Sequence, residues 1–288
     1  MKRLSMQPNV IQQREFNFTN AHFQKVKTVL YAHAGIVLAE NKQDMAYNRL
    51  VRRIRELDLQ SFDQYLVDIE SDINEFGLFI NAMTTNLTAF FRESHHFDFI
   101  GNTIIPQLAL SGKKKLRIWS AGCSLGEEPY SLAMQLLSSN IDISSWDVRI
   151  LATDIDSDVL DQARTGVYPQ DRVGALPKGY LNKHFFKGSG RQSGSVQARP
   201  ELREMITFKY LNLMEGWPLK GPFDFIFCRN VMIYFDKKTQ AKLLEKMAAL
   251  LKTDGHLFIG HSEALARHDS HFTLLGKTIY QKDCRNDR

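Results

Sequence analysis

The chain has 288 residues, of which 43% are hydrophobic and 24% charged, with a formal charge of +5 and three cysteines. That length can bury one large core, or one core with a smaller domain beside it, while no apolar run approaches the roughly 18 residues that span a bilayer. No apolar segment follows the basic start Met1-Lys2-Arg3, as a secretory signal would require, and Cys123, Cys228 and Cys284 are too few and scattered for a disulfide scaffold or zinc site. The thiols fit a reducing cytoplasm, and the charge favours acidic partners without choosing among nucleic acid, membrane and protein.

Residues 1 to about 20 are polar without a period and read as a mobile arm. From Asn20 to Glu75 the pattern is helical. Phe23, Val26, Val29 and Leu30 form one stripe, which breaks at Ala34-Gly35-Ile36. Asp44 is placed to cap a second helix with the stripe Tyr47, Leu50, Val51, Ile54 and Leu57. Phe62, Tyr65, Leu66 and Ile69 make a third. Short helices with short links predict a small bundle over residues 1–80. Its charge is segregated: Lys42, Arg49, Arg52, Arg53 and Arg55 precede an acidic run from Glu56 to Glu75. Helical spacing puts Arg49, Arg52 and Arg53 opposite the apolar stripe, with Arg55 beside it. Such a face is either simply solvated or a dock for an acidic surface.

The stretch 81–97 is rich in Thr and Asn and then aromatic. It reads as a linker whose polar groups cap a helix or line a cleft. His95 and His96, being adjacent on a helix, should point apart, which disfavours a metal site. A helix from about Phe97 to Leu110 leads to a basic turn at Lys113-Lys114-Lys115.

Leu116 to Tyr130 is the organising stretch. Leu116, Ile118 and Trp119 form a short buried strand. Ser120 to Ser124 is a turn of small residues, Glu127 and Glu128 stand at its lip, and Pro129 sits in the first turn of a helix, where its missing N–H costs nothing. Strand, small turn and helix make the first unit of a nucleotide-binding α/β fold. The next strand, Val148–Ala152, ends at Asp154, placed to accept hydrogen bonds from two ribose hydroxyls. Asp156 or Ser157 caps the helix Asp158–Arg164. The stretch from Gly166 to Pro200 interrupts the alternation and predicts an inserted antiparallel hairpin, at about 180–205. Strands return at Ile206–Leu211, followed by Asn212 and Leu213, and at Phe223–Cys228, followed by Arg229, Asn230 and Val231. A helix over Lys237–Leu251 is closed by Thr253-Asp254-Gly255, a strand follows at His256–Gly260, and two short strands about Gly276 close the chain.

Ligands of an open α/β sheet bind outside the carboxyl ends of its strands. The small turn, Asp154, Asn212 and Asn230 can therefore share one cleft. Gly122-Cys123-Ser124-Leu125-Gly126 matches neither the dinucleotide fingerprint nor a phosphate-binding loop. Lip glutamates repel a pyrophosphate and suit a cationic ligand such as S-adenosylmethionine.

The chain closely resembles the chemotaxis receptor glutamate O-methyltransferases, the CheR-type family, from about Asn20 onward. The resemblance rests on Thr84-Thr-Asn-Leu-Thr-Ala-Phe-Phe-Arg92, Gly126-Glu-Glu-Pro-Tyr130, Ala152-Thr-Asp-Ile-Asp156 and Phe227-Cys-Arg-Asn-Val-Met-Ile-Tyr-Phe235. It implies a Rossmann-like α/β methyltransferase domain over 98–288 with the β insert, a helical receptor-docking domain over 1–80, and a linker over 81–97 that contributes to the cofactor site. It implies that Asn86, Thr88 and Arg92 contact S-adenosylmethionine from above. Glu128 would bind its amino group and Asp154 its ribose. Asn212 and Leu213 would flank the adenine, and Asn230 and Val231 would line the floor. Arg92 and Tyr234 would border the reacting centre as the candidate catalytic pair. Arg49, Arg52, Arg53 and Arg55 would dock on the helical cytoplasmic region of methyl-accepting chemotaxis receptors. In some members the inserted hairpin grips a C-terminal peptide tether by strand addition. A cytoplasmic monomer without metal, nucleic acid or membrane insertion completes the expectation, with S-adenosylhomocysteine as product.

The implied chemistry needs no general base, because a glutamate of pKa about 4.3 is already ionised at neutral pH. The enzyme's work is alignment and exclusion of water. Arg92 would hold the incoming carboxylate or pair with a lip glutamate, and Tyr234 is either a site residue or packing. A nucleic-acid methyltransferase is the rival enzyme. Amino-methylating members carry Asn/Asp-Pro-Pro-Tyr/Phe after the fourth strand, where this chain has Arg229-Asn230-Val231-Met232. Aromatics interleaved with the basic patch, expected for single-strand binding, are missing. An adaptor that lost transfer is the other rival, and the intact Glu128 and Asp154 speak against it.

Overall fold

The computed structural model describes residues 14–143, 145–265 and 271–283. Most of the arm expected over residues 1 to about 20, and Cys284, lie outside the described residues. The chain opens with helices α1 (Asn20–Ala34), α2 (Gln43–Glu56), α3 (Phe62–Ser71) and α4 (Ile73–Met83). Thr19 and His22 form a capping box on α1, and Gly35, at φ 68°, ends it in the left-handed region that favours glycine. Ser61 and Asp72 cap α3 and α4. The predicted stripes meet in one apolar core, with Phe23, Leu30, Leu50, Ile54, Phe62, Tyr65 and Phe79 all at 1% exposure or less.

Three local expectations need correction here. Asp44 is not a cap: a 3₁₀ turn, Glu40–Lys42, runs straight into α2, and Asp44 lies in its first turn, paired with Arg14. Leu57 falls at the helix end and is 38% exposed, so the stripe finishes at Ile54. Nor do Arg49 and Arg53 lie opposite the stripe. Arg49 donates to the Met83 and Thr84 carbonyls at 2.7 Å each, and Arg53 holds the buried Glu75 through Nε at 3.1 Å and Nη2 at 2.5 Å. Helix α4 packs on that side of α2, and its carbonyls and Glu75 draw both guanidinium groups inward.

Helix α5 (His95–Phe99), a π-helical turn over Ile100–Ile104 and α6 (Ile105–Leu110) follow as one run. His95 and His96 do not point apart. Their rings are 4.1 Å between centroids, and both reach the Lys277 carbonyl, at 2.9 and 3.2 Å, because the start of α5 lies against the closing β turn.

The second half is an α/β unit: β1 (Lys115–Ala121), α7 (Glu127–Leu137), β2 (Asp147–Asp154), α8 (Ser157–Thr165), β3 (Val167–Pro169), α9 (Tyr180–His184), β4 (Phe185–Lys187), β5 (Ser195–Ala198), α10 (Pro200–Arg203), β6 (Ile206–Tyr210), β7 (Phe223–Cys228), α11 (Lys237–Leu250), β8 (Leu251–Ile259), β9 (Phe272–Gly276) and β10 (Ile279–Lys282). The large sheet has the order β6-β2-β1-β7-β8-β10-β9. From β6 to β8 the pairing is parallel, and β10 runs antiparallel to both neighbours. The inserted hairpin is real but larger than its Gly/Ser signal suggested, since β3 joins β5 and β4 in a separate antiparallel sheet. Thr253-Asp254-Gly255 does not terminate α11. The helix ends at Leu250 and β8 starts at once, and the triplet lies within the strand where its register against β7 shifts.

Asp156 ties the two halves together. At 2% exposure its Oδ1 caps α8, accepting from the Asp158 and Val159 amides at 3.0 and 3.3 Å. Its Oδ2 accepts from Thr84 Oγ1 at 2.8 Å and Asn86 Nδ2 at 2.7 Å. A cap is worth about 1 kcal/mol, and hydrogen bonds to a charged acceptor about 1.5–3. Asp156→Ala should therefore lose about 2–4 kcal/mol in denaturant unfolding. A loss under about 0.5 kcal/mol, within the range of ordinary surface substitutions, would mean that the linker is held by other contacts.

Candidate active site

Four parallel strands, β1, β2, β6 and β7, bring their carboxyl ends to one side of the sheet. There the chain encloses a cavity of about 450 Å³. Its walls come from the end of α1 and the loop after it (Ala34 to Ala39), Lys42 and Met45 at the start of α2, the linker from Met83 to Arg92, and the strand tips with the loops that follow them. Asn86, Thr88, Arg92, Glu128, Asp154, Asn212, Leu213, Asn230, Val231 and Tyr234 all border it.

The turn after β1 is shaped by close approach. The amides of Gly122 and Cys123 both donate to the Thr153 carbonyl, at 2.8 and 2.9 Å. Gly122 has φ 82°, and a Cβ there would stand 2.3 Å from a methyl of Val231, so glycine is required on both counts. The turn delivers α7, whose two glutamates part company. Glu128 faces the cavity, its Oε1 accepting from Ser120 Oγ at 2.7 Å and its Oε2 from Arg229 Nη1 at 3.1 Å. Burial pushes its pKa up, and the Arg229 guanidinium pulls the other way. Glu127 is not at the lip. It is 1% exposed and turns toward the small sheet, where Arg172 Nη1 lies 3.5 Å away. Adjacent residues on a helix point in different directions, so only one of the two reaches the cavity.

Asp154, at the tip of β2, accepts from the Ser124 amide at 2.8 Å and the Asp156 amide at 3.0 Å. Burial outweighs these donors and pushes its pKa up to about 6. Asn212 has its side chain committed: Nδ2 donates to the His33 carbonyl at 2.7 Å, and Oδ1 accepts from the Met214 amide at 3.0 Å. It thereby joins the loop after β6 to α1 while bordering the cavity beside Leu213. Asn230 is left-handed, at φ 59°, and its amide donates to Glu263 at 2.9 Å. The same carboxylate accepts from the Gly260 and Ile233 amides at 2.6 and 3.2 Å.

On the linker side, Asn86 is pinned by Asp156, and its carbonyl accepts from Ser124 Oγ at 3.1 Å. Arg172 of the small subdomain donates to the Thr88 carbonyl at 3.1 Å. Arg92 donates to the Leu87 carbonyl at 2.9 Å and forms no ion pair among the described residues. The lip glutamate has taken Arg229 instead. Tyr234 places its hydroxyl 3.5 Å from the Thr85 carbonyl, while its own carbonyl accepts from Val37 at 2.8 Å.

The four arginines of α2 are not part of this cavity. Arg49 and Arg53 are engaged as described, Arg55 pairs with Glu15, and Arg52 is exposed and forms no ion pair among the described residues. Sequence reasoning missed Arg229, Glu93 and Glu263, although Arg229 stands inside a quoted motif. An arginine directly after an all-apolar strand was the available signal, since such a charge is buried only with a partner.

Among the described residues no group of His, Cys, Asp and Glu could hold a metal ion, and no helix is long and apolar enough to cross a membrane. The family model for the CheR methyltransferase, SAM binding domain, matches residues 86–281. That for the CheR methyltransferase, all-alpha domain, matches 21–84. The chain is similar to chemotaxis protein methyltransferase 2 of Pseudomonas aeruginosa, with 46% identity covering 93% of this chain and 95% of that one. It is similar to the chemotaxis protein methyltransferase of Escherichia coli, with 45% identity covering 91% of each. Both matched regions meet at the linker that roofs the strand-tip cavity, and the chain belongs to the CheR methyltransferase family, with its S-adenosylmethionine-binding domain in the α/β half.

Proposed function

We propose that this chain transfers a methyl group from S-adenosylmethionine to glutamate side chains of chemotaxis receptors, with the donor held in the strand-tip cavity. The observation that carries the reading is the donor set. Two buried carboxylates, Glu128 and Asp154, face a cavity whose remaining wall is largely apolar, and an arginine without an acidic partner stands at its rim. That set suits a ligand with an ammonium, a pair of ribose hydroxyls and a sulfonium, and opposes a pyrophosphate. Bound there, S-adenosylmethionine supplies an electrophilic methyl group.

The chain's own residues do the rest. Glu128 holds the donor's amino group and Asp154 its ribose hydroxyls. Leu213, Val231 and Ile155 exclude water, and the linker residues Asn86 and Thr88 close over the donor. Arg92 holds the acceptor carboxylate, and Tyr234 borders the same opening. No base is assigned, because the acceptor arrives ionised. The helical region of residues 1–80 docks the receptor, with Arg52, exposed and forming no ion pair among the described residues, on its docking face. The β insert offers β4 as an edge strand, where Phe186 is 47% exposed and Arg199 stacks 4.2 Å over its ring. An extended receptor C-terminal tether would add there as a strand. The protein works as a cytoplasmic monomer.

Methyl label from S-adenosylmethionine should appear on receptor glutamates and be released by mild base, as an ester is. Base-stable label, or label on nucleic acid, would refute the assignment. Asp154 gives a pH test. Ribose hydroxyls donate to its ionised form, so a proton must leave before the ligand binds. Affinity for S-adenosylhomocysteine should therefore fall as pH drops through about 6, approaching about tenfold per pH unit for one linked proton. Asp154→Asn should flatten that limb and bind at least about tenfold more weakly at pH 7, as read by calorimetry. Arg52→Glu should lower receptor methylation with unchanged S-adenosylhomocysteine affinity. Arg53→Glu should lower the melting temperature, since it leaves the buried Glu75 facing a like charge; an undisturbed melting curve would discount that ion pair.

A further inference from the structure

Arg229 is buried as deeply as the core, its side chain 2% exposed. Nη1 donates to Glu128 Oε2 at 3.1 Å, and Nη2 donates to the Arg92 carbonyl. Glu93 Oε2 lies 3.4 Å from the same Nη2. Phe97 and Phe227 flank the guanidinium, their centroids 5.7 and 5.8 Å from its carbon. Glu93 is in turn fixed by the loop after β8: its Oε1 meets the His261 amide at 3.1 Å and Nδ1 at 2.7 Å. A guanidinium holds two acceptors at a set spacing, which an ammonium cannot do.

We infer that Arg229 is a positioning residue for both partners of the transfer: one nitrogen fixes the Glu128 carboxylate, which faces the donor, and the other fixes the main chain of Arg92, whose own guanidinium faces the acceptor. Glu93, held by His261, is the anchor behind it. This inference rests on the donor-site reading above. Its consequence is that the donor–acceptor distance is set by a third residue that touches neither reactant's reacting atom. The linker cannot drift from α7 while the fork holds, and alignment is where this reaction gains its rate.

The titratable groups around the pair are Glu93 and Arg92 on the linker, His96 on α5, Cys123 after β1, Cys228 on β7 and His261 after β8. Burial holds His96 neutral, its pKa down at about 3, and pushes both thiols up. Without the guanidinium, Glu128 stays buried with no counter-charge and its pKa rises further, so donor affinity must weaken as pH drops.

The test uses the full chain and its Arg229→Gln, Arg229→Lys and Glu93→Gln variants. Each is read by melting temperature, by S-adenosylhomocysteine affinity across pH, and by kcat with KM for both donor and receptor. Arg229→Gln should bind at least about tenfold more weakly at pH 7 and recover as pH rises. Arg229→Lys should restore the unmodified pH profile yet keep kcat at least about tenfold down, because an ammonium cannot span both acceptors. Glu93→Gln should lower kcat more than it raises KM for the donor. Equal weakening at every pH, in step with a fallen melting temperature, would reduce Arg229 to packing and overturn the inference. Unmodified constants in Arg229→Lys would overturn it too, even where Arg229→Gln fails to fold. If the unmodified chain bound no S-adenosylhomocysteine, the donor-site reading would fall and take the inference with it, a result told apart because it needs no variant.

Discussion

Carboxylates buried at the strand tips set the terms for everything around them. Glu128, Asp154, Asp156 and Glu263 all lie there, and the last three are 8% exposed or less. A buried carboxylate without donors costs several kcal/mol, so each must be matched. The matching is done largely by main-chain amides: Ser124 and Asp156 to Asp154, Asp158 and Val159 to Asp156, Asn230, Ile233 and Gly260 to Glu263. Amides can converge only if the loops bend sharply. Ser124 and Asn230 accordingly carry positive φ, at 50° and 59°. Conformations that cost of order 1–3 kcal/mol each gather at this one place, and the acids are what over-determine them.

The same acids explain why two cores share one cavity. Asp156 reaches out of the sheet to the linker, Asn212 reaches the last turn of α1, and Val37 bonds the Tyr234 carbonyl. Tyr31 on α1 adds a hydrogen bond to Asp236 at 2.7 Å, which lowers the Asp236 pKa. The helical region is thus fastened around the rim of the site. A partner that moved α1 or the linker would act on the cavity wall directly. The Arg172 contact to Thr88 gives the small β subdomain the same kind of access from the opposite side.

How much of this was legible follows from the range of each interaction. The stripes of α1 to α3, the strand tips and the acid ending β2 were readable because burial imposes period and because a parallel sheet presents its strand ends together. The three-stranded insert was read only in part, since β3 is short and its partners lie far along the chain. Asp44, His95, Arg49 and Arg53 were misread because their surroundings come from packing. Nothing in the local sequence says that Met83, Thr84 and Glu75 will draw Arg49 and Arg53 inward. Glu127 and Glu128 show the limit most plainly. The pair is conspicuous in sequence, and only the turn of α7 decides which carboxylate serves the cavity.

That division has a consequence for charge at the reacting end. A lip glutamate and Arg92 would be natural partners if nothing else intervened, and the cavity would then be closed to an anionic acceptor. Arg229 removes that outcome. It arrives from the next strand, holds Glu128 from behind, and leaves the Arg92 guanidinium bonded, among the described residues, to the Leu87 carbonyl and to no carboxylate. Bonding to a carbonyl restrains the guanidinium without neutralising it. On the proposed reading, the site would therefore present a carboxylate to a cationic donor and an unneutralised cation to an anionic acceptor. The buried Glu93–Arg229–Glu128 cluster keeps these two opposite charges from collapsing onto each other.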